Sequence, residues 1–392
     1  MRLLIAHNRY RAIGGEDAAF EAEVALLRER GHEVQSLEED SRNIREVAGI
    51  PLAGTSVWSE SARSRVLEAI DVGRPDVAHF HNIHPLFTPS VYDACRERGI
   101  PVVQTLHNYR LICPAATLYR SGKVCELCVG RRVPWPSVVY ACYRRSRLQS
   151  AVVTGMLGHH NTRGTWKTKV DGYIALTEFM RHKLIEGGLP AERVFVKPNF
   201  VQPDPGPKEN QGDFALFVGR LVPEKGVLTV VEAWRQMRGG IPLQIAGAGP
   251  LADRVAKAAA PIDSIRVLGR QPPKTILELM KRARFLVFAS GWYEGFPMVL
   301  AESFACGLPV VASGMGSAAE IVSDFHTGRL FAPDDPQDLA DKARWAWEHP
   351  QECLEMGRAA RSEYERQYTA QSNYLRLLDI YQTVIDARSG GG

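Results

Sequence analysis

Short apolar runs recur along the chain, and most are followed by a stretch whose apolar positions repeat at helical spacing. "RLLIAH" (2–7) leads into a predicted helix over 16–30, and "HEVQSL" (32–37) follows. "DVAHFHN" (76–82) precedes a predicted helix over 89–98, and "IPVVQTLHN" (100–108) comes next. "DGYIALT" (171–177), a helix over 178–188 and "RVFVKPN" (193–199) complete the first half. The segment "VQPDPGPKENQGD" (201–213) breaks the pattern with prolines, glycines and polar residues, and is the best linker in the chain. Beyond it the alternation restarts: "FALFVGR", a helix over 227–237, "LQIAGAG", a helix over 251–258, "IRVLGR", a helix over 275–282, "FLVFAS", "PVVAS" and "GRLFAP". From Pro336 on the pattern is helical, with a frayed glycine tail at the end. Strands separated by helices predict parallel sheets covered on both faces. The expected fold class is α/β, with two doubly wound domains over 1–200 and 201–370. Ligands of such sheets bind at the carboxyl ends of the strands, here facing a cleft between the domains.

Composition narrows the class without choosing a function. The 392 residues carry a formal net charge of +4, too mild to imply nucleic acid by itself. No apolar run reaches the ~18–20 residues of a membrane span. "MRLLIAHNRYR" has no cleavage-site pattern and is expected to be a first strand rather than a signal peptide. Seven cysteines, an odd number, fit a reducing cytoplasmic location better than a disulfide scaffold.

Candidate chemistry concentrates in "SGWYEGFPMVLAESFACGLPVVAS" (290–313). Pro297 suits a first helical position, so Gly295, Phe296, Pro297, Met298 and Val299 are expected at a helix start after an apolar strand. Free N–H groups and the helix dipole there suit phosphate or sugar oxygens. Glu294 and Glu302 are candidates to grip two polyols of one elongated ligand, since a carboxylate accepts from vicinal hydroxyls. The alternative is two solvated charges. In "FVGRLVPEKG" (217–226), Arg220 and Lys225 beside a glycine turn match a diphosphate, or are plain surface cations. Gly14 and Gly15, between the first strand and first helix, either let a backbone approach phosphate or form a tight turn.

Together with "TLHN" (105–108), "KPN" (197–199) and "IAGAGP" (245–250), and in this order and spacing, these segments resemble the retaining nucleotide-sugar glycosyltransferases of family 4, group 1 type, including members that build polysaccharides. The resemblance covers nearly the whole chain and implies the GT-B fold. It implies that Arg220 and Lys225 hold the donor diphosphate, Glu302 the ribose and Glu294 the transferred sugar. Backbone groups of 295–299 would contact sugar and phosphate, with no N–H from Pro297. Arg270, in "GRQPP", would meet the nucleobase. Gly14 and Gly15 would approach the diphosphate, and His107 would face the donor sugar near the reaction centre. It further implies that 371–392 packs back on the first, acceptor-side domain, and that no catalytic metal is needed. The donor is expected to be a UDP-sugar, with a GDP-mannose type as runner-up. The acceptor is expected to be a glycan or a lipid-linked intermediate at the inner face of the cytoplasmic membrane. A nucleotide-sugar epimerase and a non-catalytic sugar-nucleotide-binding partner are the rivals.

Four other features carry weaker signals. In "VAHFHNIHP", strand alternation puts His79 and His81 on one face, with His84 in the following loop. A zinc site is conceivable, but His81 is assigned to the acceptor side and His79 to strand packing. "GAGPLA" (247–252) has a dinucleotide-like spacing, yet "IRVLGR" ends in Arg270 where a nicotinamide site wants an acid. Cys113, Cys125, Cys128 and Cys142 offer four thiolates for a structural zinc in a small insert, or are four reduced structural cysteines. Cys95, Cys306 and Cys353 look like helix packing residues. Residues 127–170 hold eight Lys/Arg and no acid, with Trp135, Tyr140, Tyr143 and Trp166 interleaved. That suits peripheral contact with an anionic membrane or a solvated face, and nucleic acid is not expected.

Overall fold

The computed structural model describes residues 1–9, 14–43 and 57–389. The glycine tail expected at the end of the chain lies outside them. The strands, in chain order, are β1 (Arg2–Arg9), β2 (Glu33–Asp40), β3 (Val77–Phe80), β4 (Val102–Thr105), β5 (Tyr119–Arg120), β6 (Lys123–Val124), β7 (Gly172–Ala175) and β8 (Val194–Val196). They continue with β9 (Ala215–Val218), β10 (Leu243–Ala246), β11 (Ile265–Gly269), β12 (Phe285–Phe288), β13 (Val310–Ser313) and β14 (Gly328–Phe331). Twelve of them form two six-stranded sheets with parallel pairings throughout, and β5 and β6 make a small antiparallel hairpin. The α/β expectation holds: strands such as β3, β4, β7, β12 and β13 are buried at every position, as helix cover on both faces requires.

The chain divides into two compact units. The first comprises residues 1–118, 126–199 and 373 onward; the second comprises Tyr119–Cys125 and Phe200–Ser372. In the first unit the sheet order is β2-β1-β3-β4-β7-β8. Leu3, Ile5, Val77, Val103 and Ile174 meet Phe20, Val24 and Leu27 of the helix Gly15–Glu29 and Leu377, Ile380, Tyr381 and Val384 of the last helix, Ala370–Ser389. In the second unit the order is β11-β10-β9-β12-β13-β14. Alternation along its strands serves two cores: Phe217, Ile245 and Val287 pack with Val230, Val231 and Trp234 of the helix Val227–Met237. Leu216, Leu286 and Phe288 pack with Leu300, Ala301 and Phe304 of the helix Met298–Ala305.

Two helices lie where the sequence pattern was too faint to predict them, Glu60–Gly73 and Arg147–Thr162. Each is started by a serine whose hydroxyl accepts a backbone N–H: Ser59 from Ala62 and Ser146 from Gln149, both at 3.3 Å. Among the described residues no helix is long and apolar enough to cross a membrane.

Candidate functional site

In the second unit the strand order reverses between β9 and β12, the place where open α/β sheets bind ligands at the strand ends. The two segments leaving these strands, 219–226 and 289–297, are tied together. The Gly291 N–H donates to the Glu224 carbonyl at 2.9 Å, and a Cβ on Gly226 would fall inside the Ala289 carbonyl oxygen. Gly226 also has φ 66°, which glycine alone adopts without strain. This clamp brings Lys225 Nζ to 2.7 and 2.8 Å from the two carboxylate oxygens of Glu294. Ser290 Oγ donates to the same carboxylate at 2.7 Å, and Ser317 Oγ holds the Glu294 carbonyl at 2.7 Å. The pair is reachable: side-chain exposure is 23% for Lys225 and 11% for Glu294.

Helix Met298–Ala305 begins directly after this loop, with Pro297 as its cap residue and no side-chain cap. The Leu300 N–H turns back to the Pro297 carbonyl at 2.9 Å, and no acid sits in the first turn. Such a start presents N–H groups and a positive dipole end. Glu302, one turn in, is half-buried. Burial pushes its carboxyl pKa up, and no cation pairs with it among the described residues. Arg220 stands on the same clamped segment as Lys225, 70% exposed, with only a loose 3.7 Å contact to Glu224. Arg270 is exposed just past β11. Gly295 and Phe296 lie in the loop before the helix, where the Phe296 ring meets Tyr368 edge-on at 5.7 Å.

The "GAGPLA" glycines have an internal purpose. A Cβ on Gly249 would sit 2.6 Å from the Leu221 carbonyl oxygen, and Leu221 exchanges backbone hydrogen bonds with Ala248 and Leu251 at 2.9 Å each. The close approach is to the protein's own 219–226 segment, so the spacing needs no dinucleotide to explain it.

In the first unit the reversal lies between β1 and β3. Gly14 caps the helix Gly15–Glu29, and its N–H donates to Asp17 Oδ2 at 2.7 Å. Asp17 also bonds His7 Nε2 at 2.9 Å, and burial lowers the His7 pKa to about 4. Asp17 thus takes the Gly14 N–H, while a Cβ on Gly15 would meet nothing within 4 Å. His81 Nδ1 lies 3.0 Å from His107 Nε2, so these two predicted residues do meet. His79 bonds Tyr381 Oη and Thr105 Oγ1, both at 2.8 Å, as a packed strand histidine should.

Behind the histidines stand two residues to which the sequence analysis assigned no role, although Lys197 opens the "KPN" segment. Glu23 and Lys197 are buried and joined by a 2.6 Å ion pair, and Glu23 Oε1 lies 3.0 Å from His81 Nε2. The available signals were a glutamate among the apolar positions Phe20, Val24 and Leu27, and a lysine closing the strand run "VFV". Glu23, His79 and His81 are the one set of three metal-capable side chains gathered among the described residues. A lysine ammonium on the same carboxylate, with the ring nitrogens already bonded, suits a hydrogen-bond network better than a cation.

The zinc reading of the insert is not sustained. Cys113, Cys125, Cys128 and Cys142 do not gather into a metal-capable group. Cys113 is buried in the first unit, Cys125 belongs to the hairpin segment of the second, and no disulfide forms among the described residues. The insert is held instead by pairing of β5 with β6 and by Lys183 bridging Glu126 at 2.9 Å. Within 127–170, Trp166 is also not a surface residue: it is buried and donates to Asn161 at 2.8 Å.

The chain matches the family described as "Glycosyl transferases group 1" over residues 201–363 and "Glycosyltransferase Family 4" over residues 18–205. It is 34% identical over 161 residues to the D-rhamnosyltransferase WbpZ of Pseudomonas aeruginosa, covering 40% of this chain and 42% of that one. It is 28% identical over 225 residues to the amylovoran biosynthesis glycosyltransferase AmsK of Erwinia amylovora, covering 53% and 55%. The chain thus spans about half the length of the curated relatives it matches. Anabaena Alr3699/HepE, solved in complex with UDP, superposes with a TM-score of 0.68 over 100% of both chains at 16% identity, a likeness of fold. From the two family matches and the two parallel-sheet units, the chain belongs to the group 1, family 4 glycosyltransferases of the GT-B fold.

Proposed function

We propose that the protein transfers a sugar from a nucleotide diphosphate donor, a UDP-sugar, to an acceptor hydroxyl with retention. The observation that carries this reading is the Lys225–Glu294 clamp at the strand-order reversal, beside an uncapped helix start. The diphosphate takes Lys225 and the exposed Arg220. Glu294, released from Lys225 but still held by Ser290, turns to the hydroxyls of the sugar. Glu302 accepts from the ribose, Arg270 borders the base, and the backbone at Gly295–Val299 meets phosphate and sugar oxygens. As the glycosyl–phosphate bond breaks, charge grows on the leaving diphosphate. Cations and N–H groups already aimed there stabilise it without rearrangement. No catalytic metal is required by this arrangement. Of the first unit's residues, Gly14 and Gly15 are assigned to the diphosphate, His107 to the donor sugar and His81 to the acceptor. The polysaccharide-building relatives favour a glycan or lipid-linked acceptor in envelope assembly, handled in the cytoplasm.

Donor identity is tested by thermal shift with UDP, GDP and their sugars. A donor at ~100 times its dissociation constant adds about 2.7 kcal/mol to stability. UDP and a UDP-sugar are expected to raise Tm. A shift with guanine nucleotides alone replaces the donor, and no shift with any nucleotide removes the reading. The anomeric configuration of the product, read by NMR, decides retention.

A lipid-linked acceptor calls for contact with an anionic membrane, and residues 127–170 supply it. Leu127, Val133, Trp135, Val139, Tyr140 and Leu148 account for six of the eleven large apolar side chains exposed among the described residues. Arg131, Arg132, Arg144, Arg145 and Arg147 are exposed beside them in sequence. Each basic side chain near such a surface contributes about 1 kcal/mol. Cosedimentation with phosphatidylglycerol vesicles is expected, and about tenfold or weaker binding in an Arg144→Glu/Arg145→Glu variant. Equal binding to neutral vesicles, or none to anionic ones, removes this contact.

A further inference from the structure

The first unit buries more polar chemistry than its sheet needs. Lys197 Nζ, 1% exposed, lies 2.6 Å from Glu23 Oε2 and 3.3 Å from Asn373 Oδ1. The Asn373 amide is oriented by donating to the Pro198 carbonyl at 2.6 Å, which leaves its oxygen for the lysine. The other carboxylate oxygen, Glu23 Oε1, lies 3.0 Å from His81 Nε2. His81 Nδ1 then lies 3.0 Å from His107 Nε2, with the two rings stacked 5.2 Å apart. His107 is half-buried, and its Nδ1 has no partner among the described residues. The strand run, the helix Gly15–Glu29, the residues after β4 and the last helix all contribute to this one line of atoms.

The direction of each bond follows from what the groups can do. An ammonium only donates, and an ionised carboxylate only accepts. Burial opposes ionisation of Glu23, but the Lys197 ammonium at 2.6 Å overrules it and holds the carboxyl pKa well below the ordinary range. Glu23 therefore accepts at both oxygens, and His81 must carry its proton on Nε2. Lys197 and Glu23 cancel each other's charge, and no second carboxylate touches either ring among the described residues. A further buried cation would stand uncompensated, so both rings are neutral. The His81 Nδ1 is then a bare acceptor, His107 donates from Nε2, and His107 Nδ1 is left bare.

We propose that Glu23, fixed by Lys197, sets the hydrogen-bond polarity of the His81–His107 chain, so that His107 presents its Nδ1 as an acceptor. Such an atom takes a hydroxyl donor and rejects a phosphate oxygen. Glu23, Lys197 and His81 are positioning residues that act through His107. The consequence for sugar transfer rests on the glycosyltransferase reading, but the polarity itself does not.

Glu23→Gln makes the test. An amide has one acceptor oxygen, and Lys197, which can only donate, claims it. The amide N–H then faces His81 Nε2. His81 moves its proton to Nδ1 and donates to His107 Nε2, and His107 becomes an Nδ1–H donor. Long-range 1H–15N correlation spectra of the full-length, 15N-histidine-labelled protein report the tautomer of each ring, assigned through His107→Phe and His81→Phe. The wild type is expected to show His107 as the Nε2–H tautomer and Glu23→Gln to show it as Nδ1–H. kcat/KM is expected to fall about tenfold or more in the variant, because a donor then faces the hydroxyl donor. An Nδ1–H His107 in the wild type overturns the proposal, even if the variant does not fold. An unchanged tautomer in a folded Glu23→Gln protein overturns the role of Glu23. A correct tautomer pattern in a protein that transfers no sugar leaves the chain standing and removes the glycosyltransferase reading instead.

Discussion

Replacing Lys225 by alanine is expected to lower kcat/KM for sugar transfer by about 10²–10³ while the protein stays folded. The ammonium is held in place by both oxygens of Glu294, which lies in the loop just before the helix start at Met298. Charge developing on a leaving diphosphate needs a positive group already aimed at it. Removing one such group from an oriented site costs a few kcal/mol of transition-state stabilisation. The cost to folding is smaller. The pair is partly exposed, so solvent screens it, and about 1 kcal/mol or less is expected from its loss. Ser290 continues to hold Glu294 at 2.7 Å. Lys225→Arg keeps the charge but not the compact geometry, and is expected to recover only part of the rate. Steady-state kinetics with the donor found by thermal shift read the result. A Lys225→Ala enzyme with near-wild-type kcat/KM would falsify the assignment of this clamp to the diphosphate.

Loss of Lys197 acts on stability before it acts on rate. Lys197→Met leaves Glu23, 3% exposed, without its ammonium. Breaking a buried pair from one side costs about 3–5 kcal/mol, because the remaining charge stays in a poorly solvated place. Urea unfolding, followed by a probe in the first unit, should show that loss. The double variant Lys197→Met/Glu23→Met is expected to recover most of it, since both desolvation costs go together. A single variant as stable as wild type would mean that the pair contributes nothing.

The same pair sets an acid limit. Glu23's pKa lies well below its ordinary 4.5, so its contribution is present above about pH 4.5 and is lost as pH falls through the lowered value. His79 and His107 have pKa values held well below 6.5 by burial. Below about pH 6.5 the unfolded chain binds their protons and the folded one does not, so stability declines from there downward. In Lys197→Met the component below pH 4.5 is expected to shrink, and the histidine component to remain.

Where side-chain periodicity alone decides the structure, the sequence was a good guide. The helix predicted over 227–237 is found as Val227–Met237, because Val230, Val231 and Trp234 repeat at helical spacing toward one core. The strands "FLVFAS" and "PVVAS" were equally plain, being apolar throughout. Helix Glu60–Gly73 was not, since it buries the small or widely spaced Ala62, Val66, Ala69 and Ile70 between charged residues. At the site, the sequence pointed to Lys225 and Glu294 as separate ligand-binding groups. Their mutual contact depends on two segments 69 residues apart meeting at a strand reversal, which no local pattern encodes. The pairing of Glu23 with Lys197 was invisible for a related reason. Each looks like an ordinary surface charge until its partner, 174 residues away, is placed against it. The cysteine spacing misled because a C-x2-C pair is short-range, whereas a closed zinc site needs all four sulfurs to converge.

From Asn373 on, the last helix belongs to the first unit, although the whole second unit is translated before that point. Leu377, Ile380, Tyr381 and Val384 are all buried there, and Asn373 and Tyr381 complete the polar line behind the histidines. As the ribosome delivers the chain, residues 1–199 must therefore wait with an uncovered apolar face, while the contiguous segment 200–372 can close its own cores. The order of maturation runs against the order of synthesis. A nascent chain stalled short of residue 373 is the species that chaperones must shield.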